Sequence, residues 1–132
     1  NRIHLKFKPS VTAVTLFVRD LPKSREFSKL LTDGEPIFED EVSAAFQTGN
    51  VVINLLAPPA VPELISPCKA AAENSGSKAV YTTFVPSVDE AAEELNKHGI
   101  SIFSGLIDRP WGIRIVNIQD YDGNIWELAN KL

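Results

Sequence analysis

The feature that most constrains this chain is that it passes through one order of elements twice. Residues 11–18, VTAVTLFV, are β-branched and aromatic and predict a strand. Asp20 follows as a helix N-cap, with Pro22 at the helix start, and Phe27, Leu30 and Leu31 mark one apolar helical face. Asp33-Gly34 stops that helix. Short strands are predicted over 36–39, 43–47 and 51–56, with Thr48-Gly49-Asn50 turning between the last two. The order then recurs. Val80–Val85 predicts a strand, and Ser87 and Glu90 form a capping box. Val88, Ala91, Ala92 and Leu95 give an amphipathic face that ends at His98-Gly99. Strands are predicted over 100–103, 113–119 and 125–129, the last two joined by a tight turn at Tyr121–Asn124.

The two copies align residue by residue. At an offset of 67, Thr15 meets Thr82, Phe17 meets Phe84 and Val18 meets Val85. Ile37-Phe38 meets Ile102-Phe103 at 65, and Gly49-Asn50 meets Gly123-Asn124 at 74. The larger last offset reflects a longer excursion through Arg109-Pro110-Trp111-Gly112. The expected organisation is therefore one domain over 1–132, with modules 11–56 and 79–130 joined by a Pro-rich crossover over 57–78 that carries a short helix at most. Packing the two modules side by side would bury an apolar face of each and leave a cleft between them, where ligand sites are favoured. Residues 1–8, with Ile3, Leu5 and Phe7 alternating, would add an edge strand or pair with a second chain.

Charge and cysteine usage narrow the function classes. The net charge of −4 argues against nucleic acid or an anionic membrane as partner; it is compatible with a cationic ligand but is first of all that of an ordinary soluble surface. The lone Cys68 excludes an internal disulfide and a cysteine metal cluster. No early apolar stretch resembles a signal peptide and no run approaches the length of a membrane span, so a cytoplasmic setting is the default expectation. The chain opens at Asn1 rather than Met, which leaves room for a removed upstream segment.

The stretch from Phe84-Val-Pro-Ser-Val-Asp-Glu-Ala through Leu95 and Gly99, then Pro110-Trp-Gly, then Asp120-Tyr-Asp-Gly-Asn-Ile-Trp-Glu127-Leu, resembles the vicinal oxygen chelate superfamily. That superfamily contains glyoxalase I, bleomycin and fosfomycin resistance proteins and extradiol dioxygenases. The first half, Thr15-Leu-Phe-Val-Arg-Asp20-Leu-Pro-Lys-Ser, resembles its opening strand and helix start. The resemblance implies an α+β fold in which two βαβββ modules form an open, cupped mixed sheet with helices on the outside, often as a homodimer. Its metal enzymes place a His at the start of the first strand of each module and a Glu in the last strand. Here those positions hold Ala13 and Val80, the first module's last strand offers Asn54 or Ile53, and only Glu127 matches. His4 precedes the first module and His98 closes a helix. The expectation is accordingly no metal, no cofactor and no catalytic residues, as in a bleomycin-resistance-like protein that sequesters a small organic ligand between its modules.

The candidate ligand-binding residues are Glu127, Trp111, Phe17, Phe84, Thr15, Thr82, Asn54 and Arg114. Glu127 would accept a hydrogen bond or pair with a cationic group; alternatively Arg114 or backbone satisfies it. Trp126 neighbours Glu127 on a strand and should face the other side, under the helices, which leaves Trp111 to stack on a ligand or simply to pack at the rim. Thr15, Phe17, Thr82 and Phe84 share strand parity with Ala13 and Val80 and should line one largely apolar face. Gln47 and Tyr81 are further polar candidates whose facing the sequence leaves open. Two other readings stand beside this one. The chain could be a glyoxalase-like lyase or isomerase with a displaced metal site or acid–base chemistry through Glu127. It could also be a degenerate module whose pocket is plugged by Phe17 and Phe84.

Overall fold

The chain divides into two compact units, the boundary falling between Ala70 and Ala71. The computed structural model describes Lys6, residues 10–72 and residues 74–132. The alternating segment around Ile3, Leu5 and Phe7, and His4 with it, lie outside the described residues.

In the first unit, β1 (Ala13–Phe17) leads into α1 (Leu21–Leu31), followed by β2 (Phe38–Glu39), β3 (Ser43–Thr48) and β4 (Val51–Leu56). The strands form one mixed sheet in the order β1-β4-β3-β2. Only β1–β4 is parallel, as it must be when a helix carries the chain from one edge of the sheet to the other and the strands return by hairpins. Asp20 caps α1 by accepting from the Lys23 amide at 3.1 Å. The helix covers the sheet face that carries Leu16, Ala44, Phe46, Ile53 and Leu55, all buried. An Arg25–Glu39 ion pair at 3.2 Å fastens it to β2 from the same side.

The buried stripe of α1 differs from the expected one. Leu21, Ser24, Phe27 and Ser28 are buried, whereas Leu30 is exposed. Leu30 follows Leu21 by nine residues, which is about half a turn around the axis and therefore the opposite side. After β4 the Pro-rich crossover makes a short 3-10 turn, Pro58–Ala60, and α2 (Val61–Ile65).

The second unit repeats the plan with β5 (Val80–Phe84), α3 (Val88–Lys97), β6 (Ile102–Arg109), β7 (Ile113–Gln119) and β8 (Ile125–Lys131). Its sheet order is β5-β8-β7-β6, again with one parallel pair, β5–β8. Ser87 caps α3 through the Glu90 amide at 3.2 Å, and Asn130 of β8 takes the Val88 amide at 2.7 Å. Val88, Ala92 and Leu95 pack inward against a core with Val116, Ile118, Trp126 and Leu128.

Two details depart from the sequence reading. Strand β6 continues to Arg109, well past the expected end at Phe103, and is bent by register shifts around Phe103 and Leu106. The two terminal hairpins also differ. Thr48 pairs with Val51 across two residues, whereas Gln119 pairs with Ile125 across five. The last strands consequently correspond at an offset of 73, with Asn54 opposite Thr15 just as Glu127 is opposite Thr82.

The caps should be separable contributions. Asp20→Ala and Ser87→Ala are each expected to lower unfolding stability by about 1 kcal/mol, read from denaturant midpoints at unchanged m-value.

Candidate functional site

Strand alternation gives each sheet one face against its helix and one face free of it. In the second unit the assignment is fixed by hydrogen bonds. Asn130 and Arg114 reach α3, the first through the Val88 amide and the second through the Asp89 carboxylate. Trp126 and Leu128 share that side of β8, so Glu127 points to the helix-free face.

On that face the register sets Thr82, Glu127, Asn117 and Ser104 in one row across all four strands. Thr82 donates its hydroxyl to Glu127 Oε1 at 3.0 Å. Asn117 Oδ1 is buried and has no hydrogen-bond partner. The row is flanked by Phe84, Ala129, Ile115 and Ile107 on one side and by Val80, Ile125 and Gln119 on the other. Val80 and Phe84 are more than half exposed, so an apolar surface borders the polar row.

The first unit has the equivalent row: Thr15, Asn54, Ala45 and Phe38. Asn54 Nδ2 donates to Thr15 Oγ1 at 3.5 Å, a weaker counterpart of the Thr82–Glu127 bond. Phe17 and Phe38 on this face are exposed. Gln47 shares the face, but its Nε2 donates to the Gly49 carbonyl at 2.8 Å.

Six of the eight expected residues therefore lie on helix-free faces: Thr15, Phe17 and Asn54 on the first sheet, and Thr82, Phe84 and Glu127 on the second. Arg114 lies on the opposite face of its sheet. Its guanidinium binds Asp108 at 2.7 Å and Asp89 at 3.1 Å, and these two carboxylates raise its already high pKa further. Glu127 is satisfied by Thr82 instead. Trp111 is exposed in the β6–β7 turn, with the Arg109 guanidinium carbon 5.8 Å from its ring centroid. The turn follows the row Arg109, Ile113 and Lys131, two rows away from Glu127. Tyr81 belongs to the helix side, its ring 5.1 Å from that of buried Trp126, and burial pushes its hydroxyl pKa up.

Asn117 and Ser104 escaped the sequence reading. The parity of Ile113–Gln119 already sets Asn117 beside Ile115 and Gln119. What was lacking was the length of the 120–124 loop, which fixes the β7–β8 register. Asp120 organises that loop: its carboxylate accepts from the amides of Asp122 and Asn124 at 2.9 Å each, from Asn124 Nδ2 at 2.9 Å and from Trp126 Nε1 at 3.3 Å.

A family model described as the glyoxalase/bleomycin resistance protein/dioxygenase superfamily matches residues 10–128. The chain belongs to this superfamily. A glyoxalase/bleomycin resistance protein/dioxygenase from Nocardioides superposes with a TM-score of 0.82 at 26% identity, covering 97% of this chain and 87% of that one. A family enzyme from Burkholderia phytofirmans PsJN gives 0.76 at 19% identity, with 92% and 98% covered. A lactoylglutathione lyase from Agrobacterium tumefaciens gives 0.71 at 18%, with 92% and 93% covered. At these lower identities the likeness is one of fold. No curated protein matches the chain in sequence.

The positions where metal enzymes of the superfamily hold their ligands can now be placed. Ala13 and Val80 open β1 and β5 and carry no donor atom. Asn54 offers a carboxamide and Glu127 a carboxylate. A divalent metal at an open site needs three or so converging N or O donors, and this set does not supply them. Among the described residues no three His, Cys, Asp or Glu side chains come together to hold an ion. His98 is exposed at the end of α3.

Two outcomes test this geometry. Asp120→Ala should cost about 2 kcal/mol or more in unfolding free energy, because charge-assisted bonds are lost at once, and should weaken the near-ultraviolet circular dichroism of Trp126. The hydrogen bond from Arg114 holds the Asp108 carboxyl below its ordinary value. That contribution to stability is fully present above the unfolded carboxyl pKa, about 3.9, and is lost as pH falls through the lower folded value. Arg114→Ala should move the Asp108 carbon resonance titration upward, toward the ordinary range.

Proposed function

We propose that this chain is a small-molecule binding protein that takes an organic ligand on the helix-free faces of its sheets, without a metal at the positions its metal-dependent relatives use. The observation that carries the reading is the pairing of Glu127 with Thr82 in a row bordered by exposed Val80 and Phe84, while Ala13 and Val80 stand where ligating histidines would be. An apolar surface with a few placed polar groups is what an organic ligand requires. Glu127 supplies orientation and charge; Thr82 holds its carboxylate in place. On the first sheet Thr15, Asn54 and Phe17 offer a less polar version of the same surface. The fold supports sequestration or carriage as well as it supports catalysis, and the lack of an assembled donor set among the described residues favours the former.

The reading also takes the chain to act as a cytoplasmic homodimer. Exposed Phe103 and Leu106 on the edge strand β6 and Trp111 in the turn beyond it supply apolar surface for such pairing.

The test is a thermal-shift series on protein of measured metal content, against divalent cations and against a panel of small organic ligands that includes basic glycopeptides. In EDTA an organic ligand at 100 times its Kd should stabilise the protein by about 2.7 kcal/mol. Glu127→Gln should weaken a cationic ligand roughly tenfold, the loss expected for one charge-assisted hydrogen bond. Stoichiometric nickel, zinc, manganese or iron would contradict the metal-free reading, and an unchanged affinity in Glu127→Gln would remove the role given to that carboxylate.

A further inference from the structure

The end of the second sheet beyond Glu127 carries charge of the opposite sign. Register sets Arg109 of β6, Ile113 of β7 and Lys131 of β8 in one row on the helix-free face. Neighbouring strands lie about 4.8 Å apart, so the two cations flank Ile113 and their long side chains can meet above it. This row is open where the next one is closed. Lys131 is exposed and Arg109 and Ile113 are half-buried, whereas Ile115 and Ala129 are fully buried.

Arg25, Lys29 and Arg114 each have a carboxylate partner, but Arg109 and Lys131 have none among the described residues. Asp108, next to Arg109 in the chain, points to the other face and is held there by Arg114. Glu127 shares the face with Lys131 but stands four residues before it on β8, about 13 Å at the usual strand rise. That exceeds the screening length of about 8 Å at physiological ionic strength. Two adjacent cations without a counter-charge, on a chain of net charge −4, mark a place where an anion gains by binding.

Arg109 is also held in position. Its carbonyl accepts from the Gly112 amide at 3.0 Å, which closes a tight turn in which Gly112 has a φ of 90°. The Gly112 carbonyl in turn accepts from the Leu132 amide at 3.0 Å, tying the turn to the end of β8 beside Lys131. The Trp111 ring centroid lies 5.8 Å from the Arg109 guanidinium carbon, within cation–π range. Arg109 Nε is buried without an acceptor, so contact with a ligand falls to the terminal nitrogens. Their fixed, planar arrangement matches the two oxygens of a carboxylate.

We propose that Arg109 and Lys131 form a subsite for the carboxylate of an organic ligand, whose apolar body lies against half-buried Ile113 and Ile107. This subsite is separate from Glu127 and needs no cationic group on the ligand, so it goes beyond the function proposed above.

The test titrates benzoate, acetate and benzyl alcohol into the full chain, followed in two-dimensional amide NMR spectra of the wild type, Arg109→Gln and Lys131→Gln. The wild-type comparison stands even if one variant does not fold. Benzoate should bind roughly tenfold or more tightly than benzyl alcohol, because only the carboxylate makes charge-assisted hydrogen bonds, and more tightly than acetate. The largest shifts should fall on Arg109, Ile113, Lys131 and the Trp111 indole N–H. Arg109→Gln should weaken benzoate about tenfold and Lys131→Gln about threefold. Benzoate bound no more tightly than benzyl alcohol, shifts centred away from this row, or an affinity unmoved by Arg109→Gln would overturn the subsite. An affinity unmoved by Lys131→Gln would remove Lys131 from it, and acetate binding as tightly as benzoate would overturn the apolar contact. None of these outcomes bears on Glu127, which the cationic ligands of the thermal-shift series test separately.

Discussion

Each unit depends on its single parallel strand pair. Where β1 lies beside β4, and β5 beside β8, the register decides which residues of the first and last strands of a unit face the same way. That pairing sets Thr82 opposite Glu127 and Thr15 opposite Asn54, residues 45 and 39 positions apart in the chain. A slip of one residue would turn every side chain of β8 over, bringing Trp126 to the helix-free face and Glu127 against α3. Several interactions hold the register against such a slip. Asp120 ties the loop before β8 to Trp126, Asn130 caps α3 from the far end of the strand, and Ile118, Trp126 and Leu128 fill the space under the helix.

The two units show how a duplicated scaffold can keep its architecture while its site residues diverge. Caps, helix positions and strand order repeat, because each is required to bury one face of a small sheet. The helix-free faces are buried only in part: Ile115 and Ala129 are fully buried there, whereas Val80 and Phe84 are exposed. There the second sheet keeps a carboxylate and a carboxamide side by side, and the first has an amide, an alanine and a phenylalanine in the same places. Ala13 and Val80 open their strands without a donor atom, whereas Asn54 and Glu127 carry polar side chains on the same faces.

Much of this was legible in the sequence. Asp20 and Ser87 announced their helices, the Thr15/Thr82 and Phe17/Phe84 matches predicted the shared parity, and the neighbour rule on a strand placed Trp126 beneath α3 and Glu127 away from it. What stayed hidden depends on distances along the chain that composition does not fix. The five-residue loop at 120–124 moved the correspondence of the last strands by one residue, which made Asn54, not Ile53, the counterpart of Glu127 in the repeat and set Asn117 beside Glu127. Leu30 looked like a core residue because leucine at helical spacing usually is one; the buried stripe of α1 runs instead through Leu21, Ser24, Phe27 and Ser28, which leaves Leu30 on the far side. Arg114 looked like a partner for Glu127 until α3 and β6 supplied it with two carboxylates on the other side.

The central claim is that the helix-free face of the second sheet binds an organic ligand without a metal. It is tested most directly by mapping amide chemical-shift changes along the whole chain in EDTA as benzamidine is added. The account predicts that the largest changes fall on residues of β5, β7 and β8 around Thr82, Asn117 and Glu127. Changes centred instead on α3 and the Arg114–Asp89–Asp108 cluster, or changes that appear only after a divalent cation is restored, would contradict it.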